Sequence, residues 1–182
     1  MRNIKDNILE MKNISELMVD LGYTAIFLKE PIILKEVEEL HHTIKHLEEE
    51  TVKILFKVRE SDEQRIMLMD LIDYIKDIAN SALQIAELSK AKELPDIVND
   101  ILESTDKRVI VENISPKSTL SKKSIGDAKV ATFTGARIIA IQRDDNWNFK
   151  INKDTILLPN DLVIATGSLE AGKLFKNLVE GK

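Results

Sequence analysis

The amino-acid sequence changes its pattern near Leu94-Pro95. Before this point almost nothing interrupts a helix except Gly22, Pro31 and the Ser61-Asp62 pair, whereas short β-branched runs follow Thr105. A shift of this kind marks a boundary between two domains. We therefore predict an α+β protein with two domains. The predicted parts are a helical domain over residues 1–92, a linker with a short helix over 93–106 and a second domain over 107–182.

The first half is predicted to form three helices. The first covers about residues 4–29. The second begins at Pro31, because a proline at the first helical position costs no hydrogen bond. The third begins with Ser61 and Gln64, which have the spacing of a capping box. Since the connections are short, neighbouring helices are expected to run antiparallel.

The second and third helices each carry an apolar seam. The seam of the second helix repeats in steps of four and three, the period that wraps helices around one another. The seam positions are Ile33, Val37, Leu40, Ile44, Leu47, Thr51, Ile54 and Val58 in the second helix, and Leu68, Ile72, Ile75, Ala79, Ala82 and Ala86 in the third. The small residues that end the third helix allow a neighbour to approach closely. The apolar faces exceed what three helices can cover, and burial at about 25 cal/mol per Å² favours a second copy. We expect a homodimer through the helices, with two-fold symmetry.

The second half has the pattern β-α-β-β-β-α. The predicted elements are a strand over 108–114, a helical or irregular crossover over 120–131, strands around 137–142, 147–151 and 162–165, and a closing helix over 169–180. Ser168 is the predicted N-cap of that helix, and Leu174, Phe175 and Leu178 are placed on its buried side. The only tryptophan, Trp147, is interpreted as a hydrophobic plug on its strand.

Composition excludes several functional classes. The net charge of −5 argues against a nucleic-acid surface, which is normally basic. The absence of cysteine excludes disulfides and thiolate metal sites. No apolar run approaches the roughly 20 residues that span a bilayer. We expect a cytoplasmic protein that neither inserts into a membrane nor binds nucleic acid.

Catalysis is not expected. All three histidines lie between His41 and His46, and the second half has none. A serine–histidine–acid arrangement would need a histidine brought across domains. No glycine-rich phosphate loop is present either. The chain is therefore predicted to be non-enzymatic.

The third predicted helix contains the run K-D-I-A-N-S-A-L-Q-I-A-E from Lys76 to Glu87. This run resembles E-R-I-x-D-x-A-x-N-I-A-E, which is carried by members of the PhoU family of helical regulators. The resemblance covers one repeat. It implies metal binding through acidic pairs, but the matching positions here are Lys76 and Asn80, and a region near His41 and Lys45. Because a lysine ammonium does not ligate metals, the inherited site is predicted to be lost.

A second set of residues could still hold a divalent metal ion such as zinc. His42 and His46 are four apart on the second helix, and Asp73 and Asp77 are four apart on the third. Two imidazoles and two carboxylates suit such an ion. The alternative is that all four belong to a solvated face, since they lie off the apolar seams.

The second half contains a set of short motifs: Ser118 with Leu120, the run Ala140 to Arg143, Asp154-Thr155 with Leu157, Asn160-Asp161 and Gly167. In this combination they resemble the TrkA-C domain, also called the C-terminal regulator-of-potassium-conductance domain. Two family glycines are replaced, by Lys122 and Asn160. The Rossmann domain that usually precedes TrkA-C is missing from this sequence.

The resemblance implies dimeric pairing and a cleft that in some bacterial members takes cyclic di-AMP. The implied cleft uses the strand over 136–143 and the turn over 153–160. Arg137 or Arg143 would meet a phosphate, and Asp154 and Asn160 belong to the same predicted site.

These observations predict a regulatory protein of potassium or other cation transport. The second domain would sense a small ligand, and the helical domain would dimerise. The expected partner is a membrane cation transporter or channel subunit. The alternatives are a metal-binding or phosphate-signalling adaptor that acts through the helical domain, and a purely structural dimer.

Overall fold

The computed structural model describes residues 3–58 and 61–182. The chain divides into two compact units, the first ending at Glu93 and the second covering Leu94–Lys182. The first unit is helical and the second combines helices with one sheet. None of the helices within the described ranges combines the length and hydropathy of a bilayer-crossing segment.

The first unit consists of three long helices that all pack against one another. They are α1 (Ile4–Leu28), α2 (Pro31–Leu55) and α3 (Asp62–Glu87), and a 3-10 turn over Leu88–Lys90 follows. Pro31 is the first residue of α2, and Ser61 forms a reciprocal capping box with Gln64. Both predicted helix starts are therefore confirmed.

Consecutive helices run in opposite directions. Asn7, near the start of α1, donates to Thr51 Oγ1 near the end of α2 at 3.1 Å. His41 Nε2 in the first half of α2 lies 2.7 Å from Asn80 Oδ1 in the second half of α3. These pairs confirm the antiparallel order that the short connections predicted.

The seams of α2 and α3 form much of the core of the first unit. Ala79, Ala82 and Ala86 are fully buried. A Cβ added to Gly22 of α1 would lie 2.9 Å from the Ala82 carbonyl oxygen, which shows how closely the backbones approach. The predicted close packing along the small residues is thus confirmed. Four predicted seam positions are only half-buried: Leu40, Ile54, Val58 and Leu68.

The second unit contains one antiparallel sheet. Its elements are α4 (Asp96–Ser104), β1 (Lys107–Asn113), α5 (Ile125–Ala128), α6 (Val130–Thr134), β2 (Arg137–Arg143), β3 (Asn146–Asn148), β4 (Leu162–Ser168) and α7 (Leu169–Glu180). The strand order is β1-β4-β2-β3, and every neighbouring pair is antiparallel. Along the chain, the elements from β1 to α7 follow the predicted β-α-β-β-β-α pattern. Two short helices, α5 and α6, stand in place of the single predicted crossover.

Helix α7 covers one face of the sheet. Ala171, Phe175 and Val179, spaced four residues apart, are buried in the same cluster as Ile110 and other strand residues. Ser168 accepts a hydrogen bond from the Ala171 amide, which confirms the predicted cap. The prediction for Leu174 was wrong, because α7 directs the Phe175 row to the sheet and leaves Leu174 42% exposed.

The hairpin between β2 and β3 has a two-residue loop. Asp144 and Asp145 both have positive φ, at 48° and 63°, and Arg143 pairs with Asn146. Two positive values are typical of a type I′ turn, whose twist matches that of the strands. Strand β3 stops earlier than its predicted end at residue 151, since the Asn148 side chain accepts from the Lys150 amide and turns the chain.

The two replaced family glycines keep a left-handed backbone. Lys122 has φ 64° and Asn160 has φ 69°. The Lys122 amide donates to the Leu157 carbonyl at 2.8 Å, and the Asn160 amide donates to the Ile114 carbonyl at 2.8 Å. Left-handed backbone at a residue with a Cβ costs roughly 1–2 kcal/mol. The backbone of Lys122 is therefore strained, and the hydrogen bond from its amide to the Leu157 carbonyl holds the turn in this conformation.

We expect Lys122→Gly to stabilise the second unit by about 0.5–1 kcal/mol, because glycine relieves the left-handed strain at a smaller entropic cost. Urea unfolding followed by the fluorescence of Trp147, the only tryptophan, would measure this change. Lys123→Gly is the matched control, since Lys123 is equally exposed but has no positive φ. A stabilising Lys123→Gly or a destabilising Lys122→Gly would contradict the strain.

Candidate functional site

An open groove lies beside the β2–β3 hairpin. Its volume is about 690 Å³. It is formed by the hairpin and by the segment that leads from β3 towards β4. The lining residues are Ile141, Arg143, Asp144, Asn146, Trp147, Asn148, Lys150, Asn152, Asp154, Thr155 and Ile156. Because these residues come from one strand pair and one returning segment, the shape of the groove depends on how β2 and β3 pair and on where that segment returns.

Trp147 lines the groove and is supported by a stacked aromatic neighbour. Trp147 lies opposite Gln142 in the hairpin and is half-buried. Its ring stacks on Phe149 with 5.6 Å between centroids and 8° between planes. Phe149 is 7% exposed, so it holds the indole from the interior side. The interpretation of Trp147 as a hydrophobic plug missed its position on the groove, and only its place on a short edge strand could have indicated it.

Arg143 and Asp161 form a bidentate ion pair under the groove. Arg143 Nε donates to Asp161 Oδ1, and Arg143 Nη2 donates to Oδ2, both at 2.7 Å. Asp161 also accepts from the Leu158 amide at 2.7 Å, and Arg143 Nη2 donates to the Ile156 carbonyl at 2.9 Å. The hydrogen bond to Asp161 raises the pKa of the Arg143 guanidinium above its ordinary value. The pair fastens the segment before β4 to the end of β2.

The structure brings together only half of the predicted ligand residues. Arg143 and Asp154 line the groove. Arg137 is exposed at the other end of β2, away from the hairpin. Asn160 lies in the left-handed turn before β4 and is not part of the lining. Arg143 moreover has several of its donors engaged within the protein.

The charges along the groove nearly cancel. Arg143 and Lys150 are basic, and Asp144 and Asp154 are acidic. The buried Asp161 carboxylate already faces the Arg143 guanidinium. A single copy of the groove therefore offers no excess of positive charge to an anionic ligand.

The four residues proposed for a metal ion are all exposed: His42, His46, Asp73 and Asp77. Asp73 pairs with the Lys76 ammonium at 3.2 Å. Among the residues that the structure describes, no three histidine, aspartate or glutamate side chains converge on a possible metal position. The metal prediction has no support from these residues.

The positions that the resemblance to the PhoU family placed at its acidic pairs make direct contacts between helices, and no comparison shows that family itself. Lys76 of α3 pairs with Glu48 of α2 at 2.6 Å. This hydrogen bond is the main cause that raises the pKa of Lys76. Asn80 contacts His41 one turn further along. A side-chain ammonium thus lies between two carboxylates here, and the loss of a metal site stays a prediction.

Residues 109–179 of the second unit match the family model of the TrkA-C domain, so this part of the chain is a TrkA-C domain. The probable potassium channel protein 2 of Methanocaldococcus jannaschii is 36% identical over 69 residues. The matched stretch is 38% of this chain and 20% of that protein's length.

Solved structures of similar domains match at low similarity. The RCK_C domain dimer of S. agalactiae BusR in complex with c-di-AMP is 20% identical, with 43% of this chain and 96% of that chain covered and a TM-score of 0.40. The GsuK channel bound to NAD is 18% identical, with 64% and 21% covered and a TM-score of 0.39. S. agalactiae BusR in complex with its busA-promotor DNA is 21% identical, with 68% of each chain covered and a TM-score of 0.39. The expectation that this chain does not bind nucleic acid stays a prediction.

We expect Arg143→Gln to destabilise the second unit by roughly 1.5–3 kcal/mol, because the buried Asp161 loses its charged hydrogen bonds. Arg137→Gln is the matched control at the exposed start of β2 and should change the free energy of unfolding by less than about 0.5 kcal/mol. Denaturant unfolding followed by tryptophan fluorescence measures both. Equal effects of the two substitutions would contradict the role of the ion pair.

The Lys76–Glu48 pair predicts a pH dependence. Because folding raises the Lys76 pKa, its contribution is fully present below the unfolded value of about 10.4 and is lost as the pH rises through the folded value. Lys76→Met should lower stability at neutral pH by about 1 kcal/mol, and the difference from wild type should shrink as the pH rises above the unfolded value. Lys53→Met is the control, since the Lys53–Glu49 pair is solvent-exposed. Urea unfolding followed by circular dichroism measures the stability of each protein at each pH. A difference between Lys76→Met and wild type that does not change with pH would contradict a contribution from the pair.

Proposed function

We propose that this chain is a non-enzymatic, cytoplasmic regulator of potassium or other cation transport, whose TrkA-C domain senses a small ligand. The observation that carries the proposal is the TrkA-C match over residues 109–179, together with an open groove on that domain. The 36% identity to a probable potassium channel protein supports potassium as the transported ion. No observation on the described residues favours the metal-binding adaptor.

A nucleotide of the cyclic dinucleotide class suits the groove. The Trp147 indole offers an aromatic surface to a base, and stacking of a base on an aromatic side chain stabilises by about 1–3 kcal/mol. Phe149 holds the ring in place, so little conformational freedom is lost on binding. Asn146, Asn148 and Asn152 each use one side-chain amide atom in a local turn, and the other amide atom would meet the base edge. Lys150 would supply a cation for phosphate.

The number of available bases in one groove favours a site shared by two chains. A cyclic dinucleotide carries two phosphates, whereas the described lining of one groove offers Lys150 alone once Arg143 is paired with Asp161. Two grooves that face each other would place two Lys150 ammoniums and two indoles around a two-fold symmetric ligand. We therefore propose that the homodimer pairs the TrkA-C domains around the ligand.

The regulatory effect would be exerted through a membrane partner. The described part of the chain has no helix suited to crossing a bilayer, so transport itself would be carried out by another protein. The ligand would stabilise one dimeric arrangement of this chain. That arrangement would shift the partner between two states only as far as its affinities for those two states differ. A cation transporter or channel subunit is the proposed partner.

The test is a thermal-shift titration of the full chain with cyclic di-AMP. Saturating ligand should raise the unfolding temperature of the wild type, because it binds the native state. Trp147→Ala and Lys150→Glu should lose most of the shift. Phe133→Ala and Lys173→Glu, which change exposed residues outside the groove, should retain it.

Isothermal titration gives the stoichiometry. One ligand for each two chains is expected from a shared site. The absence of any shift in the wild type, or an undiminished shift in Trp147→Ala and Lys150→Glu, would contradict the proposed ligand site.

A further inference from the structure

Four large apolar side chains form an exposed stripe on α3. Met67, Leu71, Tyr74 and Ile78 are 64%, 43%, 64% and 47% exposed. They follow one another in steps of four, three and four residues, so they lie on one side of the helix. This side differs from the buried seam of Ile72, Ile75 and the alanines, which faces the other helices. The apolar stripe is therefore available surface on the first unit.

A row of acids borders the apolar stripe. Glu63, Asp70 and Asp77 are exposed and seven residues apart, and each lies three or four residues from a member of the stripe. This spacing places the three carboxylates along one edge of the stripe. We refer to them as the acidic row.

No exposed base on α3 balances the acidic row. Every charged residue of α3 that is exposed is acidic. Its two bases, Arg65 and Lys76, are half-buried and already pair with Asp62 and Glu48. The outer face of α3 is thus apolar and negatively charged at once.

The charge pattern disfavours a second copy of this chain on the stripe. In an antiparallel α3–α3 pair the two acidic rows would face each other, and like charges in contact are repulsive. In a parallel pair each row would face the opposite edge of the partner's stripe, where α3 itself offers no exposed base. An anionic membrane surface is disfavoured by the same charges.

We propose that the stripe and the acidic row of α3 together bind a basic amphipathic helix of another protein. Its apolar face would cover Leu71 and Tyr74, and lysines or arginines spaced seven residues apart would meet the acidic row. The four stripe residues alone provide only a few hundred Å² on this side, which corresponds to a transient interface of the small class. Electrostatic attraction would then contribute much of the specificity and the association rate.

Cytoplasmic segments next to transmembrane helices are enriched in lysine and arginine. A membrane protein therefore has suitable segments for this surface. The inference itself rests on α3 and does not depend on the ligand groove, so failure of ligand binding would leave it intact.

The test uses two fluorescein-labelled model peptides of about 18 residues, long enough to form a helix on the surface. One has a leucine stripe with lysines along its edge, and the other has glutamates at those positions. Fluorescence anisotropy with the full chain should show binding of the lysine peptide and none of the glutamate peptide, with weaker binding as salt rises.

Two double variants separate the apolar and the charged contributions. Leu71→Gln with Tyr74→Gln, and Asp70→Lys with Asp77→Lys, should each weaken binding of the lysine peptide at least tenfold. Leu9→Gln with Leu169→Gln removes equally exposed leucines elsewhere and should leave the affinity unchanged within about twofold. All six positions are exposed, and circular dichroism of each variant checks that the helices remain.

Several results would overturn the proposal: no binding of the lysine peptide, equal binding of both peptides, or an affinity unchanged by the stripe variants. A dimer that sedimentation velocity shows to dissociate in the Leu71→Gln, Tyr74→Gln variant would assign the stripe to a second copy instead.

Discussion

The groove of the TrkA-C domain depends on the Arg143–Asp161 ion pair, which connects the end of β2 to the segment before β4. Asp161 is 1% exposed, and it accepts from both the guanidinium and the Leu158 amide. The same guanidinium reaches the Ile156 carbonyl at the groove. A charge buried so deeply is tolerated only with several hydrogen bonds. The segment between β3 and β4 is therefore fixed to the end of β2, and with it one wall of the groove.

Arg143 is used within the protein, so Lys150 is the base of the lining that remains for an anionic ligand. Arg143 was one of the two arginines that the family resemblance offered for phosphate binding, and its contacts here are structural. A ligand with two phosphates would therefore meet a second Lys150 only from another copy. The proposed dimer around the ligand follows from this number of available bases. In the helical unit a cation is likewise used within the protein, because the Lys76 ammonium lies between the Glu48 and Asp73 carboxylates.

Local patterns were predictable from the sequence, and long-range contacts were not. The capping box of Ser61 and Gln64 and the seam of α3 depend on residues a few positions apart, so their spacing was sufficient. Leu174 was misplaced because Leu174 and Phe175 are adjacent, and only the packing of α7 on the sheet decides which row is buried. The groove joins residues 141 to 156 through a hairpin register that no single pattern specifies. The acidic row was not recognised because its meaning depends on which side of α3 stays exposed.

The proposed function requires that the groove beside the β2–β3 hairpin receives a ligand. Hydrogen–deuterium exchange of the full chain, with and without saturating cyclic di-AMP, would locate the binding surface. We expect slower exchange concentrated in residues 141–156, with the helices of the first unit little changed. Unchanged exchange throughout the second unit, or protection confined to another surface, would contradict it.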